Sequence, residues 1–218
     1  MDDLHKTVGL FNSLPAKIMK ILLIGAHGTI GRAVHALLAP RHKILTVGRN
    51  SGELRADLTQ PQTLATMFQA AGPVDAIVST AGNLHFGPLS DMTAEQFNRG
   101  LQDKLLGQVQ LALLGQQWLR DGGSITLTSG IVATEPIRHG SNASTVNAAI
   151  DAFVAAAAVE LQRGQRINAV SPTLLTESAQ AYGAVFPGFE TVPAQRVALT
   201  YQRSIEGVQT GRVYRVHG

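Results

Sequence analysis

Short apolar or β-branched runs alternate along the chain with longer segments in which apolar positions recur about every 3.6 residues. The short runs predict strands and the longer segments predict helices. The predicted strands are Lys20–Ile24, Lys43–Val47, Val74–Ser79, Ser124–Leu127, Arg166–Val170 and Arg212–Val216. The predicted helices are Thr29–Leu38, Gln62–Ala71, Glu95–Leu119, Ser144–Leu161 and Ala194–Ser204. This alternation predicts an α/β fold, a Rossmann-like, doubly wound parallel sheet of about seven strands with helices on both faces.

Three local features refine this prediction. Only nine residues, Gly48–Ala56, separate the second strand from Asp57, whereas a parallel crossover usually needs about a dozen or more. We therefore expect a short third strand with no helix before it. Thr93 and Gln96 have the spacing of a capping box at the start of the longest helix. Gly122 and Gly123 are predicted to end the loop after that helix and to start the next strand.

The first 18 residues differ from the rest of the chain in how well structured the sequence predicts them to be. Residues 1–18 are predicted to be a poorly ordered N-terminal extension, and residues 19–218 a single domain. Asp2 and Asp3 stand where a signal peptide would carry basic residues. The longest run of low polarity, Phe153–Val159, is far shorter than the roughly 20 residues of a membrane helix. We expect a cytoplasmic protein without a membrane partner.

Composition excludes several kinds of chemistry. The 218 residues include no cysteine, so disulfides, thiolate metal sites and cysteine nucleophiles are excluded, and no metal site is predicted. A net charge of +3 without a basic block gives no support for a nucleic-acid partner. The 22 glycines are more than the usual share of about 7%, which makes their positions informative.

Gly25, Gly28 and Gly31 lie between the first strand and the first helix. In such a loop one glycine permits a tight turn, one lets the backbone approach a pyrophosphate, and one lets helix and strand pack closely. Free N–H groups at the helix N-terminus then face the phosphate. The loop therefore predicts dinucleotide binding, with His27, Thr29 and Ile30 as further contacts.

The end of the second strand selects between the two nicotinamide dinucleotides. An acidic residue there bonds the ribose 2′-hydroxyl of NAD, and an arginine pairs with the 2′-phosphate of NADP. This chain has Arg49 and Asn50, with no acid before Glu53. The sequence favours NADP(H) over NAD(H); the alternative is that Arg49 is an ordinary solvated side chain.

Beyond the glycine loop, five motifs in the expected order resemble the short-chain dehydrogenase/reductase family over residues 20–218. They are Asp57-Leu58, Ser79-Thr80-Ala81-Gly82, the strand that ends at Ser129, Arg166-Ile167-Asn168-Ala169-Val170-Ser171-Pro172, and the last strand from Thr210-Gly211. The resemblance implies an NAD(P)-binding domain and hydride transfer between nicotinamide and a carbonyl or alcohol carbon. It implies that Asp57 and Leu58 lie near the adenine, and that Ala81, Gly82, Pro172 and Leu175 line the rest of the dinucleotide site.

The family's catalytic groups are only partly present. The family uses a tyrosine, a lysine four residues later, a serine and an asparagine on the preceding helix. The resemblance places Ser129 at the serine, Ala143 at the tyrosine, Asn147 at the lysine and Lys104 at the asparagine. Lys104 is the last lysine, and no tyrosine is followed by lysine four residues on.

Another group must therefore supply the proton. Lys104 is the first candidate, Tyr182 the second and His139 the third. The ordinary alternative is a solvated lysine, and a tyrosine and histidine used for packing or left on the surface. For Ser129 the alternative is an ordinary turn residue at the end of a strand. Asn147 is predicted to reach the ribose hydroxyls.

Two functions remain open. One is an NADP(H)-dependent oxidoreductase that acts on a small carbonyl or alcohol with an atypical proton donor. The other is a catalytically silent NADP(H)-binding sensor or scaffold. The resemblance also implies a homodimer or homotetramer through residues 95–119 and 144–161. The alternative is that these helices only pack on the sheet and that their alanines favour helix.

Overall fold

The computed structural model describes residues 17–217, and its centre is a fully parallel sheet of seven strands in the order β3-β2-β1-β4-β5-β6-β7. The strands are β1 (Lys20–Ile24), β2 (Lys43–Gly48), β3 (Leu54–Arg55), β4 (Val74–Ser79), β5 (Leu119–Thr128), β6 (Arg166–Pro172) and β7 (Val213–Val216). The predicted fold class is confirmed. The short third strand is also confirmed, since β3 has two residues and no helix lies between β2 and β3.

Helices cover both faces of this sheet. They are α1 (Thr29–Leu38), α2 (Pro61–Ala71), α3 (Ala94–Gly100), α4 (Gly107–Gly115), α5 (Ser141–Ala157), α6 (Ala179–Tyr182) and α7 (Ala194–Glu206). A π-helical segment, Leu101–Leu106, joins α3 to α4. Short 3-10 turns occupy Leu89–Asp91, Ile131–Ala133, Thr176–Ser178 and Gly183–Val185.

The alternation of side chains along β1 shows why two apolar layers form. Ile21 and Leu23 belong to the core under α1 and α7, whereas Leu22 and Ile24 belong to the core under α2, α4 and α5. All four side chains are buried, as expected for a parallel strand that is covered on both faces. Because helices cover both faces of the sheet, the carboxyl ends of the strands are where a ligand can reach it.

The prediction of one helix over Glu95–Leu119 is wrong in two respects. The segment divides into α3, the π-helical segment and α4, and it ends at Gly115 rather than Leu119. The carbonyl oxygens of Gln116 and Leu119 accept hydrogen bonds from the side chains of Arg163 and Gln165. These distant side chains satisfy acceptors that a longer helix would have paired internally. The capping box of Thr93 and Gln96 is confirmed.

Two other boundaries are also corrected. The strand predicted to start at Gly122 and Gly123 begins earlier, because β5 starts at Leu119 and includes both glycines; its register against β4 shifts between Val74 and Ala76. Helix α5 begins at Ser141 and ends at Ala157, rather than spanning Ser144–Leu161.

The prediction for the N-terminal extension falls almost entirely outside the described residues, which begin at Lys17. Between residues 17 and 217 no helix has the length and apolar character needed to cross a bilayer.

Candidate active site

Two adjoining cavities open at the carboxyl edge of the sheet. The first, the glycine-loop cavity, has a volume of about 340 Å³ and is lined by Ile24, Gly25, Gly28, Gly48, Arg49, Ala56, Asp57, Leu58, Asn83 and Asp103. The second, the Ser129 cavity, has a volume of about 350 Å³ and extends from Lys104 and Ser129 to Tyr182. Thr80, Ala81 and Gly82 line both. The two cavities therefore form one elongated cleft.

The glycine loop adopts a conformation that side chains would prevent. Gly25 has φ of +80°, and a Cβ there would lie 2.8 Å from Thr80 Oγ1. A Cβ on Gly31 would meet the carbonyl oxygen of Gly25 and lie 2.8 Å from Ala26 Cα. Gly28 caps α1 without a side-chain hydrogen bond, and the first turn has no acidic residue. The positive end of the helix is left open toward an anion, which fits a pyrophosphate.

Arg49 lies at the outer end of the glycine-loop cavity between two carboxylates. Its Nε is 3.3 Å from Asp57 Oδ2, and its Nη2 is 3.7 Å from Asp103 Oδ2. The pKa of Asp57 is lowered, chiefly by a hydrogen bond from the backbone N–H of Thr59 and also by the charge of Arg49. Both carboxylates therefore hold a half-exposed guanidinium at the edge of the cavity.

The predicted dinucleotide contacts divide into three groups. Gly25, Gly28, Arg49, Asp57 and Leu58 line the glycine-loop cavity, Ile30, Asn147, Pro172 and Leu175 line the Ser129 cavity, and Ala81 and Gly82 line both. His27, Thr29, Gly31 and Asn50 line neither cavity. Gly31 acts by packing, and His27 Nδ1 lies 3.0 Å from Ser51 Oγ, which links the glycine loop to the turn after β2.

Ser129 follows directly after β5 and is almost fully buried. Its Oγ donates a hydrogen bond to the backbone oxygen of Asn147 at 3.1 Å. The surrounding wall is mostly apolar, with Leu84, Phe86, Ile131, Val132, Leu174 and Phe186. Lys104 is the single charged side chain among the described residues that line this cavity.

The structure excludes the alternative that Lys104 is an ordinary solvated side chain. Lys104 is 7% exposed, and its Nζ donates to Asn147 Oδ1 at 2.6 Å and to the backbone oxygen of Ser129 at 3.0 Å. The residue lies in the π-helical segment, a distortion that is frequent at functional sites. The structure therefore brings together Lys104, Ser129 and Asn147.

Burial changes the ionisation of this lysine. Removal from water lowers the pKa of Lys104 to about 8, and the nearby charge of Asp151 acts in the opposite direction. Burial also raises the pKa of Asp151, which lies one turn after Asn147 on α5. The site thus contains an amine that changes protonation near physiological pH.

The other two candidate donors occupy different places. Tyr182 is 50% exposed at the mouth of the Ser129 cavity, where its ring centre lies 6.5 Å from that of Phe86. His139 does not line the cavity, and its backbone oxygen accepts a hydrogen bond from Gly87 N. Ala143, at the place of the tyrosine, is fully buried beside Ile131 and Val132.

Some residues of the site were missed by sequence reasoning. Asp151 has a signal, because a position four residues after Asn147 lies on the same helical face. Thr128 lines the cavity and bonds to the buried Tyr201 hydroxyl at 2.5 Å. Phe86 and Phe186 line the same cavity from two loops. No local sequence pattern predicts that these two loops lie close together.

A parallel sheet with a glycine loop and a cleft at its carboxyl edge defines the class of nucleotide-binding Rossmann-like proteins. Within that class, a family model described as enoyl-(acyl carrier protein) reductase matches residues 25–212. The chain belongs to the short-chain dehydrogenase/reductase family.

Curated relatives include two fungal reductases. The hydroxynaphthalene reductase-like protein Arp2 of Metarhizium brunneum is 29% identical over 185 residues, which are 73% of this chain and 68% of the relative. Versicolorin reductase 1 of Aspergillus parasiticus is 30% identical over 131 residues, which are 57% of this chain and 50% of the relative. The chain thus spans about two thirds of the first relative and half of the second.

Two solved structures have the same architecture. The protein lin1944 of Listeria innocua is 45% identical, with a TM-score of 0.90 over 91% of this chain and 100% of that chain. A small-chain dehydrogenase in complex with NADPH is 25% identical, with a TM-score of 0.83 over 92% of this chain and 97% of that chain.

Proposed function

We propose that the protein is an NADP(H)-dependent oxidoreductase that acts on a small, neutral and apolar carbonyl compound or the corresponding alcohol. The observation that carries this proposal is that residues Thr80–Gly82 line both cavities. They join the glycine-loop cavity to the Ser129 cavity, which contains Ser129 and Lys104. A bound nicotinamide dinucleotide would supply or accept the hydride. The residues fit this group because the open α1 terminus and the side-chain-free glycine turn form a cradle for its phosphates.

The NADP(H) assignment is supported by Arg49. Its guanidinium lies at the edge of the glycine-loop cavity, and it provides a charge that a 2′-phosphate can pair with. His27 and Ser51 lie in the two adjoining loops and are linked to each other. The small-chain dehydrogenase described above also binds NADPH.

The substrate class is supported by the lining of the Ser129 cavity. Phe86, Tyr182 and Phe186 form an aromatic side of the cavity, and Lys104 is its single charged side chain within residues 17–217. A carboxylate or phosphate substrate would meet no exposed arginine or lysine at this mouth. Ring-containing ketones fit this surface, and the printed name of the Metarhizium brunneum relative refers to hydroxynaphthalene, an aromatic compound.

The test is reduction of a panel of cyclic and aromatic ketones with NADPH, followed by Ser129→Ala. We expect turnover of at least one panel member and a loss of about 10²-fold or more in the variant, by analogy with loss of an oriented donor. Ser90→Ala is the control, since Ser90 lies on a surface turn away from both cavities. Turnover that is unchanged in Ser129→Ala would contradict the role of this serine.

The alternative function, a catalytically silent NADP(H) sensor or scaffold, is favoured by one observation. The position of the family's tyrosine is held by the buried Ala143, which has no hydroxyl. This alternative predicts NADPH binding with no turnover of any panel member. Turnover that depends on Ser129 would exclude it.

We also propose that the chain forms a homodimer or homotetramer through residues 95–119 and 144–161, which include α4 and most of α5. Leu113 is 52% exposed on α4, and a groove of about 230 Å³ beside it is lined by Phe153, Ala156 and Ala157 of α5. The small side chains of Ala156 and Ala157 would let a second copy of the same helices approach closely. Sedimentation at micromolar concentration should show the oligomer, and Leu113→Glu should dissociate it.

A further inference from the structure

Lys104 and Asn147 project into the Ser129 cavity from two different helical segments and meet there. We infer that Lys104 is the proton donor of the reaction and that Asn147 is the positioning residue that holds its ammonium group. This inference rests on the proposed function, because it concerns the same cavity. The charged group of the site therefore comes from the π-helical segment. The amide that orients it comes from α5.

Two glycines lie against the side chains of Lys104 and Asn147. Gly82 has φ of +140°, and a Cβ there would lie 2.8 Å from Lys104 Cβ and 3.0 Å from Lys104 Cα. A Cβ on Gly130 would lie 3.2 Å from Asn147 Nδ2. Both side chains therefore pass beside glycines, and larger residues at these positions would displace them.

The hydrogen bonds of the ammonium group leave one donor for a ligand. An ammonium group has three N–H bonds. Among the described residues it donates to two acceptors, Asn147 Oδ1 and the Ser129 backbone oxygen. Lys104 lines the cavity, so the third N–H is available to an oxygen atom bound there.

The charge that acts on the ammonium group of Lys104 is that of Asp151. Asp151 on α5 is the nearby acidic residue, and Arg215 on β7 acts on Asp151. Asp151 Oδ1 is buried and has no hydrogen-bond partner among the described residues. An acidic group so placed stabilises the ammonium form of Lys104 without occupying its third N–H.

The chemical step is balanced by groups that the proposed function already supplies. In the reducing direction, the carbonyl carbon gains a hydride from the reduced dinucleotide, which becomes oxidised. The carbonyl oxygen gains a proton from Lys104, so that one N–H bond breaks and one O–H bond forms. Lys104 is left as a neutral amine and regains a proton from water. In the oxidising direction the neutral amine accepts the proton.

The first test exchanges the two residues. Lys104→Asn and Asn147→Lys should each lower kcat/KM by about 10²-fold or more, the usual contribution of a positioned acid. The double variant K104N/N147K should recover at least tenfold over K104N, because it returns one ammonium and one amide to the same place. A double variant no better than K104N would overturn the pairing of Lys104 with Asn147.

The second test is independent of turnover. The chain has five lysines, so ¹³C-labelled lysine ε-methylene groups give a small set of NMR signals in the free protein. We expect one signal to titrate near pH 8 and to disappear in Lys104→Met, whose side chain has similar length. Lys43→Met is the control, because Lys43 is exposed on β2. NADPH binding, followed by fluorescence, should remain measurable in both variants.

The outcomes separate this inference from the proposed function. Wild-type protein without turnover of any carbonyl compound would contradict the proposed function. Turnover in wild type with Lys104→Met within threefold of it would overturn the proton-donor assignment alone. A Lys104 signal that titrates with the other lysines would overturn it as well.

Discussion

The part of the glycine-loop cavity that faces the start of α1 is built from backbone, whereas the Ser129 cavity takes its polar character from side chains on separate helical segments. In the first, Gly25, Gly28 and the α1 terminus present main-chain groups. In the second, Lys104, Asn147 and Ser129 contact one another over separations of 43, 25 and 18 residues. A backbone-built site depends on local chain geometry, and a side-chain-built site depends on correct packing. Substitutions should therefore affect the two cavities differently.

The largest effect is expected from Gly31→Ala. The added methyl group would meet the carbonyl oxygen of Gly25, so the loop must open and its N–H groups must move away from the phosphates. We expect NADPH affinity to fall by about 10²-fold or more, which is roughly 3 kcal/mol of binding free energy. Fluorescence titration with NADPH measures this. Gly183→Ala is the control, since a Cβ at Gly183 meets nothing within 4 Å, and equal affinities in the two variants would contradict the packing role.

A smaller and more selective effect is expected from Gly82→Ala. Its methyl group would press on the Lys104 side chain, where the nearest atoms are aliphatic carbons of Lys104. Displacement of a catalytic group by about 1 Å can cost about 10²-fold in rate, so kcat should fall more than NADPH affinity. Gly122→Ala matches it in positive φ but has open space around the Cβ. A kcat that changes equally in both variants would show that backbone strain, not Lys104, is responsible.

The pH dependence distinguishes the two cavities without any substitution. Lys104 has a pKa of about 8, so it carries its proton below pH 8 and loses it above. Reduction should therefore decline about tenfold per pH unit above 8, while NADPH binding changes much less. Initial rates and fluorescence titrations between pH 6 and 10 measure both quantities. A flat reduction rate across this range would contradict an acid with this pKa.

The same ionisation has a consequence for stability. The pKa of Lys104 is lower in the folded protein than its ordinary value of 10.5, so the unfolded state binds more protons between about pH 8 and 10.5. The free energy of unfolding should rise with pH over this window through this group. Urea unfolding of wild type and Lys104→Met at several pH values would show the difference between their slopes. Parallel slopes would mean that Lys104 does not titrate in this window.

The smallest effect is expected from Arg49→Ala. The guanidinium is exposed and already paired with Asp57 and Asp103, so part of its attraction for a 2′-phosphate is offset. We expect the preference for NADPH over NADH to fall by about tenfold, near the lower range for hydrogen bonds to charged groups. Titration with both dinucleotides measures this. Arg99→Ala, which removes an equal charge on the surface of α3, should leave the preference unchanged.

The strands, the short β2–β3 connection and the glycine loop could be predicted from the sequence, because each depends on local periodicity or on glycine. The end of α4 could not, since it depends on Arg163 and Gln165 from a distant loop. The family resemblance placed Lys104 near the site, but its burial and its bond to Asn147 follow from tertiary packing. The aromatic side of the Ser129 cavity was also beyond sequence reasoning, because Phe86 and Phe186 are separated by 100 positions.

The contacts of Lys104 also determine the order in which the site can be completed during synthesis. The glycine-loop cavity is lined by residues 24–103, which emerge from the ribosome first. Lys104 finds its two acceptors only after Ser129 and Asn147 have been made and α5 has docked. A chain that ends within α4 contains every residue that lines the glycine-loop cavity but lacks both acceptors of Lys104, so the reactive centre is among the later parts of the molecule to be completed.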